Sequence, residues 1–465
     1  MARDLEHLYQ TINLPMKKII LILIFFSITG LYEISAQSKK WTLGDCITYA
    51  IQNNIGLKRQ ILQTSSAQAE LTKAELDMLP SLNFGSDAAM GFGRSIDPVT
   101  NLITFKQNIS NAYAINSSIT LFSGFTQINT ISASKFMVRA GLETEKVVRN
   151  TLVVNILGAY YRILYAKGLE DAAKMQLDQS EKQLFRIQKM VENGKEALSK
   201  QYEMESRASE DRLSYTIARN NTSQAVTTLK QMLQIEAGME FDLLMPELEN
   251  SPVSDLSFKA DSIYNIASQA LPRLKAINFQ LLAAKKQVAA AWGNIVPKIS
   301  AGGSVYTGFY KVLGEEGSGQ DPFSKQLKNN NSQALSISLQ IPLFNNYAYG
   351  RYIRLAKIRK EDTELKLQLE KNALYTDIEN ACLDYNRGKD EFTAATSNLE
   401  FNRKSFDAVE KKFEAGLIDV IDYSAAKTNL FSAESEALRT RLQVLIRRLT
   451  IEFYTTGEYE KIINN

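Results

Sequence analysis

A block of this chain occurs twice, the second copy 222 positions after the first (121 to 343, 194 to 416). Leu121-Phe122-Ser123-Gly124 returns as Leu343-Phe344-Asn345-Asn346, and Val191-Glu192-Asn193-Gly194 as Phe413-Glu414-Ala415-Gly416. Between these ends the apolar positions agree pair by pair: Ile156 with Ile378, Ile163 with Tyr385, Leu177 with Leu399, Leu184 with Phe406. No proline occurs from Val99 to Met245 or after Pro342, so nothing obliges either block to break a helix. Steps of three, four and seven, as in Phe392, Ala395, Leu399, Phe406, Val409 and Phe413, make a seam that packs sideways against other helices. At ~1.5 Å per residue, a helix over 126–192 would be roughly 100 Å long. Ordinary globular domains do not contain helices of that length.

The flanking segments repeat as well. Ala50, Leu57, Lys58 and Pro80 match Ala267, Leu274, Lys275 and Pro297, with a shift of 217 (80 to 297). The pattern predicts a tandem repeat of helix, hairpin, long helix, turn and helix. The first repeat is expected over 37–235, with a continuous opening helix from Trp41 towards Leu79-Pro80, a hairpin over 81–122, a long helix over 126–192 and a tip at 193–199. A linker at 236–258 would lead to the second repeat over 259–456, with hairpin 298–344, long helix 348–414, tip 415–422 and a short tail at 457–465. The shift grows between Pro80 and Leu121, so the extra residues of the second hairpin fall in its loop tip, where insertions are tolerated.

The hairpins carry a different periodicity. Leu335, Ile337, Leu339, Ile341 and Leu343 alternate with small or polar residues, and so do Tyr113, Ile115, Ile119 and Leu121. A half-buried strand of a soluble sheet gives the same signal. Here the preceding strands, around Ser81–Arg94 and Lys298–Tyr310, are rich in glycine and aromatics, and the connecting tips are polar. Short strands with one apolar and one polar face suit a transmembrane β-barrel. Four strands cannot enclose a lumen, because the smallest barrels need about eight. With no other strands expected in the chain, three copies would supply twelve.

At the N-terminus, Met16-Lys17-Lys18 precedes an apolar run from Ile19 to Ile28 and a small-polar exit at Ile34-Ser35-Ala36-Gln37. That is the layout of a secretory signal, so 1–36 is expected to be a leader starting in effect at Met16 and cleaved near Ala36. A membrane anchor would share the pattern, but the apolar run is short for a bilayer. The net charge of +3 gives no reason to expect a nucleic acid or other polyanion as partner. Cys46 and Cys382 sit within helical patterns, as two buried thiols or as a disulfide. The only histidine, His7, lies in the leader, so the mature chain has no histidine-based nucleophile or metal site. No phosphate-binding glycine loop or Gly-x-Ser-x-Gly occurs either. The reading is of a protein without enzymatic activity, cofactor or metal.

The turns ending the long helices are Asn193-Gly194-Lys195-Glu196-Ala197-Leu198-Ser199 and Ala415-Gly416-Leu417-Ile418-Asp419-Val420-Ile421-Asp422. Glycine there serves the left-handed helix stop. Ser199 and Asp419 are placed as N-caps of the returning helices, with Asp422 in a first turn, where the dipole favours a carboxylate. Capping alone accounts for these acids; the alternative is that Asp422 faces the bore of a tube.

With these residues in hand, the chain resembles the TolC family of outer-membrane efflux proteins over about 41–456. The resemblance rests on the two-fold repeat, Leu-Pro-Ser-Leu at 79–82, Leu-Phe at 121–122 and 343–344, and Phe-Glu-Ala-Gly-Leu-Ile-Asp-Val-Ile-Asp at 413–422. It implies a mainly α fold with a small transmembrane β part: a homotrimer whose twelve-stranded barrel in outer-membrane lipid continues into a twelve-helix barrel across the periplasm. It implies an export duct working with a periplasmic adaptor and an inner-membrane transporter. The adaptor would meet the tips at Gly194, Lys195, Leu198, Gly416, Leu417, Ile418 and Val420. In the family's gate, an aromatic position falls on Phe413 and an acidic one on Asp422, beside Asp419. The basic position is Ile418 and a second acidic one Ala425, so those parts are missing. Lys200, six residues after Gly194, is expected either to pair with Asp422 or to stay solvated. A non-conducting periplasmic scaffold remains the other function class, and drug efflux is not separated from protein secretion.

Overall fold

The computed structural model describes residues 40–96, 101, 103–236, 239, 241–244, 258–314 and 321–459. The expected leader 1–36 with Met16, most of the linker 236–258 and the end of the tail lie outside the described residues.

Helix α1 (Leu43–Asn53) opens on a capping box, in which the Asp45 amide donates to Thr42 Oγ1 and the Thr42 amide to Asp45 Oδ2, each at 3.1 Å. The opening helix is not continuous as the apolar spacing suggests. Asn54 leaves helical backbone (φ −61°, ψ 121°), and its Oδ1 accepts from the Leu57 amide at 3.0 Å, starting α2 (Ile55–Leu76). The second repeat breaks at the matching place, between α5 (Ala260–Ala270) and α6 (Pro272–Gly293). There Pro272 sits in the first turn, where a missing N–H costs nothing. The long helices α3 (Thr126–Glu192) and α8 (Ala348–Glu414) have 67 residues each. They return through α4 (Leu198–Leu233) and α9 (Val420–Thr456). A further short helix, α7 (Phe323–Asn329), lies in the tip of the second hairpin.

Strands β2 (Ser81–Gly91), β5 (Asn108–Ser123), β7 (Lys298–Val312) and β8 (Ser332–Gln340) form one antiparallel sheet in the order β2-β5-β7-β8. A small ladder of β3 (Ser95–Ile96) and β4 (Ile103–Thr104) extends the first hairpin. The register aligns the alternation of all four main strands. Leu82, Phe84 and Met90 lie opposite Ser117, Ile115 and Ile109, and Ile115 lies opposite Val305. Ile119 pairs with Ala301, which pairs with Ile337; Gly303 pairs with Leu335 and Ile299 with Leu339. One face of the sheet is therefore apolar, and the other carries Ser81, Asn83, Asn116, Ser118, Ser300, Ser336 and Ser338. The apolar face is bare: Leu335 is 94% exposed.

Each strand leads into or out of one helix, so helix order copies strand order. Beneath the sheet α2 packs on α3, α3 on α6 and α6 on α8. The hand-over is sharp. Gly124 and Phe125 are both left-handed (φ 60° and 61°), as are Asn346 and Tyr347 (φ 51° and 64°). A Cβ on Gly293 would run into Thr126 Oγ1 and the Gly124 carbonyl, so bare backbone is what lets α6 meet this turn. In the lower half α4 packs on α3, and α9 on α8 and α3. The layer stays open at both sides, and each open side carries apolar residues at helical spacing. On α2 these are Ile55, Leu62 (68% exposed) and Leu76; on α8 they are Ile358, Leu365 and Leu369 (70% exposed).

The core lies about midway down the long helices, where Ile156 and Ile163 of α3 meet Cys46 and Ala50 of α1 and Leu229 and Leu233 of α4. Its counterpart gathers Ile378, Cys382 and Tyr385 of α8 with Ile263 and Ala267 of α5 and Ile451 of α9. Against expectation the hairpins are not the only strands: β1 (Lys40–Trp41) pairs in parallel with β6 (Asp242–Leu243) at the rim of the first core. Two-residue strands lack the length for a periodic signal. Both cysteines are buried and free, and burial, with Asp45 adding, pushes the Cys46 thiol up to about 12.

Leu177 is 8% exposed, whereas its repeat mate Leu399 is half-buried and lines a cleft between α3, α8 and α9. Leu177→Asp should therefore cost several kcal/mol as an unpaired buried carboxylate and abolish assembly. Leu399→Asp should be milder, unless the cleft is filled by another protomer. Size-exclusion yield of assembled protein checks both, and equal wild-type yields would place the whole seam in solvent.

Candidate functional site

The two turns where the long helices reverse lie side by side at the end remote from the sheet. Each is built by glycine. Gly194 (φ 68°) donates to the Val191 carbonyl at 2.9 Å and Lys195 to Met190 at 2.8 Å. Gly416 (φ 74°) donates to Phe413 at 3.0 Å and Leu417 to Lys412 at 2.9 Å. Both are Schellman closures, which satisfy the last carbonyls of the helix.

The turns then diverge. Asp419 caps α9, its Oδ1 accepting from the Asp422 amide at 2.9 Å. The matching residue of the first repeat is Ala197, so α4 starts with no side-chain cap. Ser199, expected as that cap, is already the second residue of α4. The turn closes two residues sooner than its serine suggests (197 against 199), and the cap position falls on alanine. Lys200 does not pair with Asp422. Its Nζ lies 3.2 Å from Glu196 Oε1, on its own turn. Four residues separate that pair, whereas Asp422 belongs to the other hairpin.

Of the residues singled out at the tip, Gly194, Lys195, Leu198, Gly416, Leu417, Asp419 and Asp422 are exposed, and Ile418 and Lys200 half-buried. Val420 and Phe413 point inwards. Phe413 stacks on Tyr423, with ring centroids 4.5 Å apart, and both join Ile187, Met204, Phe406 and Val420 in a small core. This core binds the α3–α4 hairpin to the α8–α9 hairpin. The Tyr423 hydroxyl has no hydrogen-bond partner there, and burial raises its pKa far above the ordinary tyrosine value.

One turn further along α9 is a cluster that sequence reasoning missed. Lys427, 2% exposed, donates to Asp211 Oδ2 of α4 at 2.9 Å, to Ser180 Oγ of α3 at 2.7 Å and to the Gln176 carbonyl at 2.6 Å. Ser180 also donates to Asp211. Burial pushes the Lys427 ammonium below the ordinary lysine value, and Asp211 opposes this. A signal existed: Val420, Tyr423, Lys427 and Leu430 follow steps of three and four, placing a lysine on an apolar stripe. No group of carboxylate, histidine and cysteine side chains suited to a metal occurs among the described residues. No helix among them is long and apolar enough to cross a membrane.

Comparison with known proteins agrees with this architecture. The chain belongs to the outer membrane efflux protein family, whose model matches residues 46–233 and 263–457. Toxin and drug export protein A of Aggregatibacter actinomycetemcomitans is 19% identical over 423 residues, 90% of this chain and 86% of that protein. The CmeC outer membrane channel of Campylobacter jejuni has the same fold, with a TM-score of 0.75 at 15% identity over 91% of this chain and 88% of that one. The outer membrane protein VceC of Vibrio cholerae gives 0.72 at 13% identity over 90% and 96%. This is a family of export channels, not of enzymes, and membership places the protein in the outer membrane.

The Lys427 cluster gives a stability prediction. Lys427→Met leaves Asp211 charged, buried and unpaired, and should cost about 3–5 kcal/mol. Adding Asp211→Leu should recover most of that loss. Thermal unfolding of the wild type and these two variants in detergent, followed by circular dichroism, measures the loss and its recovery; equal melting temperatures for wild type and Lys427→Met would mean the pair contributes nothing.

Proposed function

We propose that three copies of this chain join side by side into a passive export duct. β2 of one copy would pair with β8 of the next, and the Ile55–Leu62–Leu76 stripe of α2 would cover Ile358, Leu365 and Leu369 of the neighbouring α8. The barrel would then have twelve strands and the tube below it twelve helices, reaching across the periplasm. The observation that carries this reading is that sheet and helix layer are open on the same two sides. A strand edge in lipid leaves N–H and C=O groups that neither water nor hydrocarbon satisfies, so it must be paired. A non-conducting scaffold would leave the apolar face of the sheet without a purpose.

In this reading the exposed tip residues Lys195, Leu198 and Leu417, with the half-buried Ile418, meet a periplasmic adaptor coupled to an inner-membrane pump of a tripartite or type I system. Gly194 and Gly416 set the turns, while Val420 supports them from inside. Phe413 acts through the tip core, and Lys200 through its pair with Glu196. Asp419 is the cap. Asp422, exposed one turn into α9, supplies a carboxylate that threefold symmetry would bring together with two others. The relative named for toxin and drug export supports a cargo range that includes small molecules and polypeptides.

Light scattering with detergent subtraction should give three times the mass of the mature chain, and the purified protein should conduct in a planar bilayer. A stable monomer, or a trimer that never conducts, would sink the duct. Asp422→Ala should raise single-channel conductance and weaken cation selectivity. Asp419→Ala should instead lower stability by about 1 kcal/mol. Reversal potentials across a salt gradient separate the two roles. Wild-type values for Asp422→Ala would reduce that acid to a residue of the helix start.

A further inference from the structure

On its α6 and α8 side the top of the helix layer is charged in one sense. The first thirteen residues of α8, 348–360, contain Arg351, Arg354, Lys357, Arg359 and Lys360 and no acid. The neighbouring α6 carries no acid over its whole length. Lower on α8, Lys366 and Lys404 each pair with a carboxylate four residues away, Asp362 and Glu400. Of the five upper cations only Lys360 is so paired, with Glu364 at 3.2 Å; the other four have no carboxylate within ion-pair distance among the described residues. Two of them keep company with rings instead. Lys357 Nζ lies 5.3 Å from the centroid of Trp292, and the Arg351 guanidinium 5.5 Å from that of Tyr352.

Trp292 fixes which way this patch looks. It stands on α6, flanked by α3 and α8, so its 46% exposure opens on a broad face of the layer and not on a side that another protomer would cover. It also lies six residues before Lys298, where β7 begins. Arg354, three residues before Lys357, shares the face of Lys357. A half-exposed indole beside cations, directly below strands with a bare apolar face, has the chemistry of a membrane–water boundary.

We propose that Arg354, Lys357 and Trp292 form a docking surface for anionic phospholipid headgroups of the periplasmic leaflet, a reading that rests on the barrel proposed above. The cations meet the phosphates, while the indole lies at the level of the headgroups. A neutral lipid offers the ring the same contact but gives the cations less. The surface therefore selects anionic lipid, holds the tube at a set depth and weakens as salt screens it.

Trp292 is its own reporter, because the chain has two tryptophans and Trp41 packs in the core against Tyr49 and Phe241. Trp41→Phe leaves one fluorophore. The protein is reconstituted in vesicles holding either headgroup-spin-labelled phosphatidylglycerol or the same label on phosphatidylcholine. Quenching is read only in vesicles that already pass ions, so failure of the duct reading shows itself first and separately. Both labels should quench, the phosphatidylglycerol label at severalfold lower mole fraction, since each cation is worth up to about a fivefold preference. Arg354→Gln with Lys357→Gln should bring the two labels together and leave conductance unchanged. Equal quenching by the two labels in the protein with both cations intact overturns the proposal. So does quenching by aqueous iodide alone, with a reversal potential that moves in the double variant, because the cations would then line the bore.

Discussion

Backbone hydrogen bonding at the strand edges is the constraint from which the rest of this molecule follows. A four-stranded sheet with one apolar face cannot stand in lipid with two bare edges, and no segment of the described chain covers them. The helix layer copies the predicament, since α2 continues into β2 and α8 continues from β8. Whatever closes the sheet must close the layer at the same time. In the proposed assembly the apolar stripes on α2 and α8 would therefore be the helical half of one seam whose other half is made of N–H and C=O groups. The two halves work by different physics, burial of apolar area below and pairing of polar groups above. Neither suffices alone: a sheet joined over splayed helices would leave the stripes in water, and packed helices under an open sheet would leave the edges unpaired.

The internal repeat supplies the architecture, and departures from it supply the individuality. Lys427, Asp211 and Ser180 have no counterparts in the other repeat, where the matching residues are Glu205, Ala433 and Asn402. The cluster joins α9 to α3 and α4 across the repeat boundary, beside an apolar core that already makes the same connection through Phe413 and Tyr423. A buried ion pair adds little net stability where apolar packing would serve, but it tolerates few alternative registers. Long helices with heptad-like seams can slide by a turn and still pack, and the cluster has one setting in which all three groups are satisfied.

Much of this was legible in advance, for identifiable reasons. The long helices declare themselves because apolar residues hold their spacing over many turns without proline, and the strands because the period changes to two over Tyr113–Leu121 and Leu335–Leu343, each after a segment rich in glycine and aromatics. Short-range competition was not legible. Asn54 ends one helix and begins another with a single side chain, and a periodic apolar count passes over it. Ser199 looks like a cap until the turn is seen to close earlier, on Ala197. Phe413 and Val420 occupy tip positions in the sequence but face the tip core, because turn residues and the residues beneath them alternate within a few positions. Of the site, the exposed glycines and Asp419 could be read directly from turn chemistry; Lys427 required asking why a lysine lies on an apolar stripe.

The unbroken length of α3 makes it a lever. Its best-packed stretch, around Ile156 and Ile163, lies some thirty residues before the tip, about 45 Å along the axis. A swing of about 10° about that fulcrum would carry Gly194 sideways by roughly 8 Å, while Leu152 and Val153, next to the pivot, would barely move. Widening the far end of the proposed tube would need no unfolding and no hinge loop. It needs only that the contacts near the tip be fewer than those at the fulcrum, and the small core around Tyr423, with its unsatisfied hydroxyl, fits that description.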